Sequence, residues 1–335
     1  MPSRPSVSVV VAAMNVEPHI GIGLQSLRRQ GIDPDDLEVI VVDDGSTDRT
    51  GDVIDEMVRL IPRATVIHNG TNFGVSHTRN QGLERATGRY ITFLDGDDWY
   101  APGHLAHMRR VLDTVDVDFV KSDFVEVRGR ARTLVRMPVG RRDVPLDPRD
   151  HILPDHGSTM IDFPHCWSGM YRSEMAEAGL LEFDSGLATA EDRPWIWRMF
   201  YRTRAMAVTS GPGVMYRRNI GTSLTQVLDD RQMDFCPAFD QVITLLENED
   251  VDPDIWGKLA RNWLAVLAHQ VKRSHKADAD YRARLTERAR ATSRRIPEQY
   301  LQRGLEKFGK QRASFVHEVL GDFMTSHHFR HVKKR

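Results

Sequence analysis

Short apolar, β-branched runs alternate with amphipathic stretches through the first hundred residues. Ser8–Ala13, Glu38–Asp43, Thr65–His68 and Tyr90–Leu94 read as strands, and the helical periods between them predict βαβ units with a mostly parallel sheet. The spacing predicts helices over Pro18–Arg29, Asp48–Leu60 and Val75–Ala86. Proline opens the first, Ser46 or Asp48 caps the second, and Gly88 closes the third. Past Pro102 comes another helix, then Phe119–Val127 and Thr133–Val139 flanking Arg-Gly-Arg as a hairpin. Residues 140–160 read as a loop, followed by strand-like Cys166–Tyr171, a helix from Glu191 to Tyr201, and strands Ala205–Thr209 and Val214–Arg218. From Asp229 the pattern is helical. Trp256, Leu259, Trp263, Val266 and Leu267 share one apolar face there, expected to be covered by the N-terminal half or by a second copy of the chain. The fold class is α/β, a mixed sheet flanked by helices and followed by an all-α region. The expected domains are 1–225, with halves 1–100 and 101–225, and 226–335.

Composition narrows this. The chain has 335 residues, 40% hydrophobic and 28% charged, enough apolar material for a core. The aliphatic stretch Trp263–Ala268 is six residues long, far short of the roughly 20 a spanning helix needs. Cys166 and Cys236 cannot make a disulfide framework, so a cytoplasmic location is expected. The net charge of −1 hides an asymmetry: residues 1–254 hold 27 Lys and Arg against 40 Asp and Glu, whereas 255–335 hold 19 against 7. Residues 272–295 alone carry Lys272, Arg273, Lys276, Arg282, Arg284, Arg288, Arg290, Arg294 and Arg295. Such segregation suggests either a solvated face docked on the acidic half or a surface for an anionic partner.

The strand ends carry the chemistry, as ligands of open α/β sheets bind there. Asp43 and Asp44 run into a glycine turn with Ser46 and Asp48. A carboxylate in that turn can accept from the imide of a uracil or from ribose hydroxyls, or can cap the next helix. The run Asp95-Gly-Asp-Asp98 packs three carboxylates behind a buried strand. They repel one another unless a hard cation such as Mg²⁺ or Mn²⁺ joins them; otherwise they are an acidic surface turn. Between these lies Asn72-Phe-Gly-Val-Ser-His-Thr-Arg-Asn-Gln-Gly82. There the helix start and Arg79 suit an anionic group, and Arg79 can equally pair with a strand-end acid such as Asp44.

Taken together, Ser8-Val-Val-Val-Ala-Ala-Met-Asn-Val-Glu17, Val42-Asp-Asp-Gly-Ser-Thr-Asp48, the Asn72–Gly82 segment, Phe93-Leu-Asp-Gly-Asp-Asp98, Ala190-Glu-Asp-Arg-Pro-Trp-Ile-Trp-Arg198 and Tyr216-Arg-Arg-Asn-Ile-Gly-Thr-Ser-Leu-Thr225 resemble the family 2 glycosyltransferases of GT-A fold in order and spacing. The resemblance spans roughly residues 6–225. Ala12-Ala13-Met14-Asn15 departs from it, since many members carry Pro or Thr and a Tyr there. The resemblance implies an inverting hexosyl- or N-acetylhexosaminyl-transferase with a nucleotide-sugar donor, UDP-linked, and Mn²⁺ or Mg²⁺. It implies Asp97 as main metal ligand, with Asp95 and Asp98 supporting; Ala13, Asn15, Glu17, Asp44, Arg79 and Asp95 at the donor; and Asp192 as general base. Glu191, Trp167, Arg217 and Arg218 would contact acceptor or diphosphate.

The acceptor would be a glycan, a polyol-phosphate polymer or a lipid-linked glycan of the cell envelope. Residues 272–295 would make peripheral contact with the anionic inner leaflet, and the C-terminal helices would serve a homo-oligomer. Nucleic acid is disfavoured by the acidic N-terminal half. Two other functions use parts of the same apparatus. A metal-dependent nucleotidyltransferase would want a glycine-rich phosphate loop after the first strand, which Ala12–Asn15 does not offer. An inactive glycan-binding or scaffold protein would not need every one of these carboxylates. His327 and His331 have a helical zinc spacing, but in a tail expected to fray.

Overall fold

A computed structural model describes residues 4–211, 213–218 and 228–326, with side chains to 321. The boundary expected near 225 and the histidines at 327, 328 and 331 lie outside the described residues. The backbone divides into two compact units, one comprising Met1–His151, Phe163–Gly186 and Trp195–Ser223, the other Ile152–Asp162, Leu187–Pro194 and Leu224–Arg335.

The first unit alternates strand and helix: β1 Val7–Ala13, α1 Glu17–Leu27, β2 Leu37–Asp43, α2 Thr50–Val58, β3 Arg63–His68, α3 Val75–Arg85 and β4 Tyr90–Asp95. After them come β5 Trp99–Tyr100, α4 His104–Thr114, β6 Phe119–Ser122, β7 Phe124–Arg128, β8 Ala131–Val135, β9 Gly169–Arg172 and α5 Ser173–Glu177. Helix α6, Asp192–Arg202, begins in the second unit and ends in the first, and β10 Met206–Thr209 and β11 Val214–Arg217 complete the strands. Seven strands form a mixed sheet in the order β10-β6-β9-β4-β1-β2-β3. Here β1 runs parallel to both β2 and β4, while β9 is antiparallel to β4 and β6. The continuous apolar run of β1 follows from this central place: Val7, Val9, Val10 and Val11 are at most 1% exposed because helices cover both faces of such a sheet. The smaller sheet has the order β5-β11-β7-β8.

Several elements depart from the expected bounds. The run read as Phe119–Val127 breaks at Asp123, whose carboxylate accepts from the Met137 N–H at 2.8 Å and from Arg142 at 3.0 Å. The chain passes there from the large sheet to the small one, and the hairpin is β7–β8, turning at Gly129 with φ of 57°. Helix α2 starts at Thr50, whose N–H donates to Asp48 at 2.9 Å, while the Ser46 hydroxyl instead accepts from the Asn15 N–H. Cys166–Ser168 is a short 3-10 turn, and β9 begins only at Gly169.

The second unit contains α7 Phe235–Glu247, α8 Pro253–Ser274, α9 Ala279–Ser293, α10 Glu298–Glu306 and α11 Lys310–Ser326. Helix α8 is its axis. Trp263 is enclosed by the unit's own helices, stacked on Phe235 at 5.2 Å, edge-on to Phe239 and donating its indole N–H to Ser293. Trp256 is half-buried. Neighbouring helices therefore bury the stripe at Trp263, where the sequence suggested the N-terminal half or a second copy. No described helix is long and apolar enough to cross a membrane.

Candidate active site

The register of the large sheet aligns three strand ends. Ala13 lies opposite Asp43 on β2, and Ala12 opposite Asp95 on β4. The turns that follow are knitted to one another. Asn15, at φ 50°, accepts the Thr47 N–H at 2.8 Å on its side-chain oxygen. Glu17 accepts from the Arg49 N–H, while its own N–H donates to Asp48. Asn15 and Glu17 thus shape the entrance to α2.

Asp44 is 3% exposed. Its carboxylate accepts from Asn69 Nδ2 and the Phe73 N–H, both at 3.0 Å, and from the Gly74 N–H at 2.8 Å. It therefore ties the loop ahead of α3 to the end of β2. Exposed side chains on this loop include Asn72, which donates to the Met14 sulfur, and Phe73, 53% exposed.

Arg79 is buried on α3 and donates to Asp95 Oδ1 at 2.8 Å, with its guanidinium 5.1 Å from the Phe183 ring centroid. Asp95, not Asp44, is its acidic partner. Asp44 is occupied by backbone donors, and α3 carries Arg79 towards the end of β4.

Asp97 and Asp98 sit in the tight turn joining β4 to β5. Burial and then the charge of Asp95 push Asp97 up to about 6, and burial with the charges of Asp97 and Asp95 raises Asp98 well above the usual carboxylate range. Arg217 on β11 closes this turn. Its N–H donates to Asp98 Oδ1 at 2.6 Å, its Nε donates to the Asp97 carbonyl, and its guanidinium lies 4.6 Å from the Trp99 ring centroid. In this turn, among the described residues, Asp98 Oδ2 and Arg217 Nη2 are buried without partners. Among the described residues no three acidic, histidine or cysteine side chains are arranged as a metal cage. The donor chemistry nevertheless fits a hard divalent cation, because Mg²⁺-type ions are held by one or two carboxylates plus substrate phosphates. Asp95 and Asp97 repel each other in a half-buried turn, the condition a cation relieves.

Trp167 is 4% exposed in an aromatic cluster, 4.6 Å from His165, 4.7 Å from Tyr216 and 5.0 Å from Phe124. Arg218 donates to the Tyr216 hydroxyl and lies 3.9 Å from Glu126. Asp192 is the first residue of α6, follows Ala190 at φ 60°, and stands 3.9 Å from the Arg193 guanidinium. Asp192 and the half-buried Glu191 belong to the second unit. In the basic stretch, Arg284 pairs with Asp230 and Asp280, Arg295 with Asp240 and Glu247, Arg273 donates to Gln232, and Arg290 donates to the Val319 carbonyl. Those arginines serve the helical unit itself. Trp99, Asn69 and Phe73 were not singled out from sequence; the available signal was their adjacency to the acidic turn and to the Gly74 loop.

Residues 8–174 match the family model described as Glycosyl transferase family 2. Over these residues the chain belongs to that family. It is 31% identical over 223 residues to the uncharacterized glycosyltransferase EpsJ of Bacillus subtilis, an alignment covering 67% of this chain and 64% of that protein. The minor teichoic acid biosynthesis protein GgaB of the same organism is 32% identical over 160 residues, 46% of this chain and 18% of GgaB. The chain thus spans less than two thirds of these relatives. A crystal structure of S. aureus TarS 1–349 in complex with UDP-GlcNAc has the same fold, with a TM-score of 0.74 at 20% identity over 97% of this chain and 93% of that one. The GT-A expectation and the helical C-terminal region agree with this match.

Proposed function

We propose that the chain is an inverting glycosyltransferase that moves a sugar, hexosyl or N-acetylhexosaminyl, from a UDP-linked donor to a hydroxyl of a cell-envelope polymer. The observation that carries this reading is the convergence, at the ends of β1, β2 and β4, of the Asp44-anchored loop, the Arg79–Asp95 pair and the Asp97–Asp98 turn closed by Arg217. UDP-GlcNAc bound to a protein of this fold and the teichoic acid role of GgaB favour a UDP-sugar and a polyol-phosphate acceptor.

In this reading the uracil and ribose lie over the strand ends by Ala13 and Asp44. Asp95 and Asp97 would hold Mn²⁺ or Mg²⁺, which when bound stabilises charge on the departing diphosphate. Arg79 fixes the Asp95 carboxylate by a charge-assisted bond, and Arg217 Nη2, a buried cationic donor without a partner, is available to diphosphate oxygens. Asp192 takes the proton from the acceptor hydroxyl, with Glu191 orienting sugar or acceptor. Asp98, whose Oδ1 is spent on the Arg217 N–H, shapes the turn.

Incubation with a panel of nucleotide sugars, Mn²⁺ and polyol-phosphate acceptor should release UDP. Asp97→Asn should abolish most of that release while leaving the fold intact. Turnover unaffected by both EDTA and this substitution would overturn the metal assignment. Pyrophosphate release from UTP and a sugar phosphate, with no UDP released from the nucleotide sugars, would mark a nucleotidyltransferase.

A further inference from the structure

The second unit contains a cavity of about 230 Å³, on whose wall stand Ser158, Asp162, Arg261, Asn262, Lys307 and Arg312. It is smaller than the roughly 300–1,000 Å³ of a pocket for a drug-sized molecule, so it suits a compact group. The charges around it do not cancel. Asp162 is answered by Lys258, whose ammonium is fully buried and 2.6 Å away. Asp155 is answered by Lys307 and Arg303, and Arg303 also reaches Asp254. Arg261 is held by two backbone carbonyls, those of Asp155 and Gly157, both at 2.8 Å. Carbonyls orient a guanidinium without neutralising it. Among the described residues neither Arg261 nor Arg312 has a carboxylate partner, so five cations face three carboxylates.

Independent of charge, the wall carries an unanswered donor. Asn262 is 7% exposed, and its Nδ2 is buried with no acceptor. A buried donor left unmade costs about 1–3 kcal/mol, so the wall is built for something that accepts. The cavity also touches Gly309, at the start of the 17-residue α11, where first-turn N–H groups favour an anion.

We propose that this cavity binds a phosphate group, with Arg261, Arg312 and Asn262 Nδ2 as its donors. It would be a second anion site, separate from the donor diphosphate. Its source would be a phosphodiester of the polymeric acceptor, an identification that rests on the acceptor reading above. Phosphate binding itself does not.

The test is calorimetric titration of the full chain with inorganic phosphate at constant ionic strength, beside Arg312→Glu and Asn262→Leu. Arg312 lies exposed in the first turn of α11, where glutamate is favourable to the helix, so Arg312→Glu should fold. Saturable phosphate binding is expected, weakened about tenfold or more in Arg312→Glu, with UDP affinity unchanged. A glycerol-phosphate oligomer should compete with phosphate, and vesicles of phosphatidylglycerol should bind no better than phosphatidylcholine. Phosphate affinity equal in wild type and both variants, or no greater than that of chloride, would overturn the site. Vesicle binding abolished by Arg312→Glu would overturn the polymer as source. Absence of UDP binding in an otherwise phosphate-binding protein would instead refute the glycosyltransferase reading alone.

Discussion

Replacing Asp44 by Ala removes the acceptor for three donors at once. Hydrogen bonds to a charged group are each worth about 1.5–3 kcal/mol, so the three to Asn69, Phe73 and Gly74 set an upper bound of about 5–9 kcal/mol. The loop around Phe73 is exposed, so its freed N–H groups are rehydrated and much of that sum is recovered. A loss of about 2–4 kcal/mol remains. Asp44→Asn keeps an oxygen for one or two of the donors but sets an amide N–H₂ against the others, and should fall between wild type and alanine. Urea unfolding followed by circular dichroism measures the stability. Calorimetric titration with UDP measures the second consequence, since the same loop leads into α3 and Arg79. Both variants should lose UDP affinity in the order of their stability loss. If Asp44→Ala changed unfolding by less than about 0.5 kcal/mol, within the usual range of surface substitutions, the carboxylate would not be the anchor of this loop.

Other outcomes follow from single features. Asp192→Asn should retain UDP affinity and lose about 10²- to 10⁴-fold in turnover, as read by a coupled UDP-release assay; equal loss of both would make Asp192 structural. Burial raises the Asp155 carboxyl, but the Lys307 and His156 hydrogen bonds and the charges of Arg303 and Lys307 outweigh it and hold the group below its ordinary 3.8. Its stabilisation is therefore complete above that value and lost as pH falls through the folded-state pKa, so the deficit of Asp155→Asn in urea unfolding should be full at pH 6 and shrink below pH 4. Gly45→Ala should cost about 2–4 kcal/mol, because φ there is 70° and a Cβ would stand 2.5 Å from the Thr71 carbonyl carbon; an unchanged urea midpoint would refute this.

The strands and their polar ends were legible because burial on both faces demands unbroken apolar runs, and because a charged residue directly after such a run can only stand at the sheet's edge. Asp43, Asp44 and Asp95 were found in this way. Partners were harder to read. Arg79 has two acidic strand ends within plausible reach, and Asp95 is its partner while the loop's own donors occupy Asp44. Asp44 is satisfied largely by backbone N–H groups, which leave no mark in a sequence. The clustered arginines of 272–295 suggested an outward basic face, yet Asp230, Asp240 and Glu247, distant in sequence, answer several of them. Nothing in the order of residues announces that Lys258 is buried, since its carboxylate lies 96 positions away.

The bond from the Arg217 N–H to Asp98 spans 119 residues, whereas the strand ends at Ala13, Asp43 and Asp95 all lie within the first hundred. On a ribosome these two parts are separated in time. A nascent chain that has emerged past β4 already holds the four strands β3-β2-β1-β4 and the loop tied by Asp44, but its acidic turn lacks the strand that seals it. The turn's carboxylates stay open to water until β11 arrives, so the acidic turn is completed only after the four-strand platform exists.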